Sequence, residues 1–202
     1  IQEGAGVKYA HTHSTKADST ASGTDSSAMG PAASAYGDSA VALGNGAVAG
    51  DANDPAVANA VALGKAATAS GGDSLALGAG AAAAQAGAVA LGSGSSTAAA
   101  VATTGGTLNG TAYTYAGAAP TSTVSVGSAG HERTVTNVAA GRVSGTSTDA
   151  VNGSQLYATN TELSKLDGAV KGIQGGDGVK YLRVNSTGSD SVATGTDSVA
   201  IG

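Results

Sequence analysis

Phenylalanine, tryptophan and cysteine are absent from this 202-residue chain, and Leu, Ile and Val together number only 31. That is about 15% of the residues, below the roughly 20% under which a chain is suspected of burying too little apolar surface to fold alone. A conventional globule with a bulky aromatic core is thereby excluded. Lacking cysteine, the chain has no disulfide framework and no thiolate metal site, and its redox compartment stays open. Basic residues are outnumbered 9 to 14 and form no cluster, so the electrostatic footprint of a nucleic-acid binder is missing. No apolar run approaches the length of a membrane span, and nothing resembles a signal peptide. The chain opens at Ile1 and ends at Gly202 inside a repeat, as expected of a piece of a longer protein.

Ala, Gly, Ser and Thr dominate instead, at 45, 33, 23 and 22 residues. Only 11% of residues are charged, the net charge is −5, and Val and Thr are plentiful, so random coil is not the default expectation. The composition favours backbone layers lying close together over small side chains.

Glycines recur every seven residues, at Gly23, Gly30, Gly37 and Gly44, and after a six-residue offset around Gly50 to Pro55 at Gly64, Gly71, Gly78 and Gly92. Around them runs an alternating string: SSAMG at Ser26 to Gly30, SAVALG at Ser39 to Gly44, NAVALG at Asn59 to Gly64, SLALG at Ser74 to Gly78, GAVALG at Gly87 to Gly92 and SVAIG at Ser198 to Gly202. Five alternating residues ending at Gly make a short strand and a turn, and fourteen residues make one coil of a β-solenoid. Alternation sorts side chains by size. Ser and Ala take the inner face of a narrow roll, while Val41, Leu43, Val61, Leu63, Leu75, Leu77, Val89 and Leu91 take the other. Such a continuous apolar stripe predicts self-association along the solenoid.

A longer repeat is superposed on this one. Residues 1–30 and 173–202 align without a gap, with 18 of 30 positions identical, so the chain reads as one array unit and the start of the next. Between them, residues 95–122 lose the glycine phase and contain Leu108-Asn109-Gly110-Thr111, a type I′ turn signal, followed by Tyr113 and Tyr115 on one side of a strand. This predicts a hairpin inserted into the roll near 98–119. TVSVG at Thr123 to Gly127 resumes the strand pattern, and Arg133 to Val138 alternates. Asp149 or Asn152 is placed to cap a helix, with Gln155 at the capping-box spacing from Asn152. Leu156, Thr159, Leu163, Leu166, Val170 and Ile173 then keep a strict three-four spacing. A single helix of about twenty residues with one apolar seam is marginal in water, so it requires partner helices. Gly175-Gly176-Asp177-Gly178 is expected to end it.

Repeated SVALG-type coils, then TVSVG, then RTVTNVAAG, TDAVNGSQL and heptads, resemble the YadA-like head and neck of a trimeric autotransporter adhesin. The resemblance implies a mainly β fold: a left-handed parallel β-roll head in each of three chains over residues 1–127, a neck over 128–155 in which chains cross between subunits, a trimeric coiled coil over 156–174, and the start of a second head unit over 175–202. It assigns the neck pattern to Arg133, Asn137, Val138, Gly141, Asp149, Ala150, Val151, Asn152, Gln155 and Leu156, with Arg133 and Asp149 pairing or capping. It places Leu163, Leu166, Val170 and Ile173, with the outer residues of the roll, in the trimer core. The hairpin resembles the head-insert motif of the same family, and RVSGTST at Arg142 to Thr148 makes a neck loop slightly longer than the shortest family form. Expected partners are two further copies of the chain and host cell-surface or extracellular-matrix proteins. The expected location is the bacterial surface, with an outer-membrane anchor in a C-terminal region of the full protein and no membrane contact by this segment.

Other chemistries are weak in the sequence. His11 and His13 share a strand face as half a zinc site would, but the aligned second copy has Arg183 and Asn185 there. Ser, His and Asp are present without a nucleophile elbow, and Gly44-Asn45-Gly46 lacks the Lys and helix of a phosphate loop. Asp25, Asp38, Asp73 and Asp197 recur at turns, as Asx-turn residues do, and not clustered as in a solenoid carbohydrate enzyme. An ice-binding solenoid would need Thr in every coil, whereas Thr clusters at 103–123 and in the neck. No catalytic residue, cofactor or metal is expected.

Overall fold

The computed structural model describes residues 12–173, 187–189 and 191–200. Two compact units divide the chain, one through Thr136 and one from Asn137.

The first unit is a two-sheet parallel roll. Its strands are β1 (Thr20–Ala21), β2 (Ser27–Met29), β3 (Ser34–Ala35), β4 (Val41–Leu43), β5 (Val48–Ala49), β6 (Val61–Leu63), β7 (Thr68–Ala69), β8 (Leu75–Leu77), β9 (Ala82–Ala83) and β10 (Val89–Leu91). After these come β11 (Gly105–Leu108), β12 (Thr111–Thr114) and β13 (Val124–Ser125). One sheet runs β1-β3-β5-β7-β9 and the other β13-β10-β8-β6-β4-β2. Every pairing between coils is parallel and in register by coil: Ser27 faces Val41, Val61 faces Leu75, and Leu75 faces Val89, each fourteen residues apart. Three pairings have longer offsets. Val41 faces Val61 across the six-residue offset, Val48 faces Thr68 across the same offset in the other sheet, and Val89 faces Val124 across the hairpin insertion.

The core is made of methyl groups. Fifteen alanines from Ala33 to Ala90 are buried, most with no exposure at all, together with Ser74 and Ser95. Each buried methyl is worth about 0.8 kcal/mol. No larger hydrophobic side chain is buried among the described residues, so the two sheets close over alanine and a few hydroxyl side chains. The one hydroxyl deep in the middle of the roll, on Ser74, donates to the Gly71 carbonyl at 2.6 Å.

Corners repeat as strictly as strands. One residue per half coil has left-handed backbone: Asp25, Ala32, Ser39, Gly46, Asn59, Ala66, Asp73, Gly80, Gly87 and Gly94. Neighbouring corners also touch. Gly78 has φ +133°, and a Cβ there would lie 2.5 Å from the Gly92 carbonyl carbon. The stacked glycines therefore bring successive coils to strand-pairing distance at a place where a side chain would push them apart. The expected turn aspartates occupy these corners. Asp25 and Asp73 have φ near +57°, the Asp38 carboxylate accepts from the Thr24 N–H at 2.7 Å, and Asp73 accepts from the Asn59 amide at 2.9 Å.

The insertion is a hairpin, with Gly105 opposite Thr114 and Leu108 opposite Thr111. Asn109 and Gly110 both have positive φ, 46° and 78°, as a type I′ turn requires. Arg133 to Val138, despite its alternation, forms no strand.

The second unit contains α1 (Gly153–Gly172), which starts three residues ahead of the first seam leucine because Asn152 caps it through a full capping box with Gln155. The glycines at 175, 176 and 178, with Asp177, lie outside the described residues. In the second copy of the long repeat, Asp197 has φ 58°, matching Asp25 at φ 56° 172 residues earlier.

Candidate functional site: the apolar face, the end of the roll and the neck

With Ala turned inward, strand alternation forces the flanking residues of the second sheet outward. Val41, Leu43, Leu77 and Leu91 are 37–45% exposed, and Val61, Leu63, Leu75 and Val89 are half-buried. The coil register stacks them into two rows, Val41, Val61, Leu75 and Val89 in one and Leu43, Leu63, Leu77 and Leu91 in the other. Met29 and Val124, 62% and 69% exposed, extend the rows at opposite ends. On the other sheet the corresponding outward positions are Thr20, Ser34, Val48, Thr68 and Ala82, too mixed for a threonine ladder. The two faces of the roll thus differ in kind: one carries large aliphatics, the other small and mostly polar groups.

The C-terminal end of the roll poses a hydrogen-bonding problem, because its last full coil has no regular coil after it. Within the stack, the Leu77 and Ala79 carbonyls accept the N–H groups of Gly92 and Gly94. One coil further on, the Leu91 carbonyl accepts the Ser95 hydroxyl at 2.8 Å and the Ser93 carbonyl accepts Arg133 Nη2. Arg133 Nη1 donates in turn to Ser95 Oγ at 2.9 Å and to the Val126 carbonyl. The guanidinium thus replaces the missing amide at the Ser93 carbonyl, and the Ser95 hydroxyl, itself bonded to that guanidinium, replaces the one at Leu91. Beside it, Glu132 accepts from the Gly130 N–H at 2.9 Å, and backbone hydrogen bonds, its own N–H first and that of Gly130 second, hold its carboxyl below the usual range.

In the segment ahead of α1, where a neck is expected, Gln155 reaches back from the helix's first turn. Its Oε1 accepts from Gly141 N–H at 2.9 Å and from Asn152 N–H at 3.3 Å, while its Nε2 donates to the Gly141 carbonyl at 2.6 Å. The Asn152 amide donates to the Val138 carbonyl at 3.1 Å, and Gly141 leaves no room for a side chain beside Asp149 and Ala150. Asp149 takes a bidentate bond from Arg142, at 2.7 and 3.0 Å, and a third from the Arg142 N–H. The Arg142 guanidinium, then its backbone N–H, holds the Asp149 carboxyl below its ordinary range.

Thus Val138, Gly141, Asn152 and Gln155 come together, and Asp149 closes a loop with Arg142, so that of the two expectations, pairing or capping, Arg133 shows capping. Arg133 is spoken for by the carbonyls of the roll. Ala150, Val151 and Leu156 are exposed, and Asn137 has left-handed backbone at φ 60°. Leu163, Leu166, Val170 and Ile173 are 44–62% exposed, and α1 buries no residue of its own.

Among the described residues no group of three His, Asp or Glu is placed to hold a metal, and no helix is long and apolar enough to cross a membrane. His13 is exposed, while His11, Arg183 and Asn185 lie outside the described residues.

Residues 134–178 match the coiled stalk of trimeric autotransporter adhesin. Residues 21–47, 58–81, 69–95 and 186–202 match the YadA head domain repeat. The chain is 61% identical over 64 residues to autotransporter adhesin BtaE of Brucella suis biovar 1, which is 32% of this chain and 9% of that protein. It is 41% identical over 66 residues to autotransporter adhesin EhaG of Escherichia coli O157:H7, 33% of this chain and 4% of that protein. The chain therefore spans less than a tenth of the curated relatives it matches. Among solved structures it is similar to a C-terminal YadA-like domain from Burkholderia pseudomallei, at 36% identity and TM-score 0.46 over 85% of this chain and 59% of that one. It is also similar to the collagen-binding domain of the Yersinia adhesin YadA, at 30% identity and TM-score 0.43 over 71% of each chain. With head repeats stacked in its roll and stalk sequence running from the neck through its helix, the chain belongs to the trimeric autotransporter adhesins.

Proposed function

We propose that this chain is a passenger segment of a bacterial surface adhesin, a rigid trimeric fibre that attaches the cell to host cells or extracellular-matrix proteins. The observation that carries the assembly is the pair of aliphatic rows on the second sheet. The chain's own interior is already filled by alanine, so the rows gain cover only from other copies. Fully burying one Val or Leu is worth about 1.5–3 kcal/mol relative to full exposure, and these side chains are partly covered already, so each adds a fraction of that.

The unburied seam of α1 calls for partner helices in the same way. With Leu156, Leu163 and Val170 at one set of core positions and Thr159, Leu166 and Ile173 at the other, the seam does not itself select an oligomer size. The number three rests on the stalk match. In this assembly the aliphatic rows and the seam form the trimer core, and the neck residues from Arg133 to Leu156 join the roll to the coiled coil.

Adhesion in this reading is mechanical and involves no catalytic step. Three identical outer faces, repeated along a fibre by successive head units, convert weak single contacts into avidity. The fibre stands on the cell surface, held by an outer-membrane anchor in the full-length protein. Sedimentation equilibrium tests the assembly: a trimer mass at micromolar concentration is expected, and a monomer mass would sink it. Binding of the trimer to immobilised matrix proteins and to cells tests adhesion, with a head-deleted version as control. Equal binding by the two would count against the head as the adhesive part.

A further inference from the structure

An asparagine followed by glycine has a chemistry of its own, because no side chain shields the glycine nitrogen from the asparagine carboxamide. The sequence has three such pairs, Asn45-Gly46, Asn109-Gly110 and Asn152-Gly153. The structure treats them unequally.

Two of the pairs are held on both sides of the reacting bond. The half-buried Asn45 side chain accepts from Lys16 Nζ at 3.0 Å and donates to the Pro31 carbonyl at 3.3 Å. The Gly46 N–H donates to that same carbonyl at 2.9 Å. The Asn152 amide donates to the Val138 carbonyl at 3.1 Å, and its oxygen accepts from the Ser154 hydroxyl at 2.8 Å and the Gln155 N–H at 3.3 Å. Its glycine, Gly153, is the first residue of α1.

Asn109 and Gly110 have no such restraint. Both are exposed, and among the described residues no hydrogen bond holds the Asn109 carboxamide or the Gly110 N–H. Nothing lies within 4 Å of where a Cβ on Gly110 would be. The pair forms the tip of the β11–β12 hairpin, whose residues Gly105 to Thr114 are exposed apart from the half-buried Gly106. An isolated two-stranded hairpin is marginal in water, so opening this turn costs little free energy.

We propose that Asn109 is a site of spontaneous covalent modification, deamidation through attack by the Gly110 nitrogen. The Gly110 nitrogen bonds to Asn109 Cγ as the Cγ–Nδ2 bond breaks, and the Gly110 proton leaves with Nδ2 as ammonia. The product is a five-membered cyclic imide. Water, the one co-reactant, then opens the ring at either carbonyl. Opening at Cγ leaves an aspartate at position 109, and opening at the α-carbonyl leaves an isoaspartate whose main chain runs through Cβ and Cγ. No electron is gained or lost.

Either product changes the hairpin. From Ser74 to Gly130 the sequence contains no Asp, Glu, Lys, Arg or His, so the new carboxylate is the first charge in that stretch. Isoaspartate also adds a main-chain atom to the two-residue loop that sets Leu108 opposite Thr111, and loop length fixes the register of a hairpin. The modification is independent of the trimer put forward above.

The test is peptide mass spectrometry on the whole chain, incubated at mildly alkaline pH and sampled over time. Cleavage after Lys and Arg gives a peptide from Ala66 to Arg133 in which Asn109 is the single asparagine. Asn45 falls in the peptide from Ala17 to Lys65, and Asn152 in that from Val143 to Lys165. The mass gain of an amide-to-acid conversion is expected first at Asn109, located by fragmentation, with isoaspartate detected by enzymatic methylation of its carboxyl. Asn45 and Asn152 should convert at least about tenfold more slowly, because one or more hydrogen bonds must break beforehand. Asn109→Gln should abolish the early gain in the Ala66 to Arg133 peptide. Conversion of Asn45 or Asn152 as fast as Asn109, or an early gain that survives in Asn109→Gln, overturns the assignment.

Discussion

Arg133 Nη1 donates to Ser95 Oγ at 2.9 Å across 38 residues of sequence, and the same guanidinium caps the Ser93 and Val126 carbonyls. A parallel roll has open ends wherever its coils stop, and each open end strands backbone carbonyls. Water can reach these carbonyls, so the cost of losing the cap falls at the low end of the usual 1–3 kcal/mol for an abandoned partner. Arg133→Met should destabilise the roll by about 1 kcal/mol. Hydrogen exchange is the sharper measurement. Amides of Gly92 to Thr97 should exchange faster, with those of Ala33 to Ala49 unchanged, and uniform change along the roll would contradict a local cap.

The alanine core makes an unusual mutational prediction. In most domains Ala→Leu on a buried strand is an overpacking error of about 1–3 kcal/mol. Here Ala76 lies, fully buried, between two sheets whose interior is filled by alanine methyls and a few small hydroxyl side chains, with no larger group able to give way to a bulkier side chain. Ala76→Leu should therefore cost at least about 3 kcal/mol, read as a loss of melting temperature or of soluble protein. Leu77→Ala, on the outward row, should leave the fold of the single chain nearly unchanged and weaken association instead. The two variants separate folding from assembly one residue apart.

Much of this was legible beforehand because period, not propensity, carries the information. The seven-residue glycine phase and the Ala-x-Gly alternation located the coils, and they sorted Ala76 inward and Leu75 and Leu77 outward. The Asn109-Gly110 turn and the Asn152–Gln155 capping box were equally visible, since each is a local device with its own residue signature. What the sequence hid is long-range or locally strained. Nothing in the string marks Arg133 as the partner of Ser95, and the family pattern left pairing with Asp149 or capping open for it. Asp149 instead bonds Arg142, seven residues away, across a loop whose closure depends on a backbone path. Left-handed Ala32 and Ala66 are likewise unsignalled, because Ala has no preference for that conformation; their N–H groups bond to the preceding coil, at the Ala17 and Asn45 carbonyls.

Gln155 ties the neck to the helix through three hydrogen bonds made by one amide. Gln155→Leu keeps the volume and removes all three. At about 0.5–1.5 kcal/mol per bond, with partial access of water to the freed groups, the neck should lose about 2 kcal/mol. Helix content of residues 153–172 should fall at the N-terminal end, visible as lost amide protection at Leu156 to Thr159. Unchanged protection there would show that Asn152 alone sets the start of the helix.

Acid should loosen the neck. The Asp149 carboxyl is lowered in the folded chain by the Arg142 guanidinium and N–H, so its contribution is fully present above the ordinary carboxylate range and is lost as pH falls through the lowered value. Glu132, lowered by backbone N–H groups, has the same sign at the end of the roll. Melting temperature should therefore be flat near neutrality and decline on the acid side of the ordinary carboxylate range. Asp149→Asn removes the Asp149 share and should shallow that decline while lowering stability at neutral pH. A neutral-pH melting temperature equal to that of the parent would mean that the exposed ion pair contributes nothing, as many surface pairs do.

The seam of α1 yields the strictest test of assembly. Leu163 is 62% exposed in one chain, so replacing it by Asp should cost the isolated helix little beyond a difference in propensity of a few tenths of a kcal/mol. In a trimeric coiled coil the same change puts three carboxylates into one apolar layer, where each must be desolvated beside two like charges. Leu163→Asp should therefore leave the secondary structure of the roll intact and shift the sedimentation equilibrium from trimer toward monomer. Lowering the pH to protonate the carboxylates should partly restore the trimer. Ser164→Asp, one position off the seam, should do neither, and an equal effect from both would place the interface on another face of the helix.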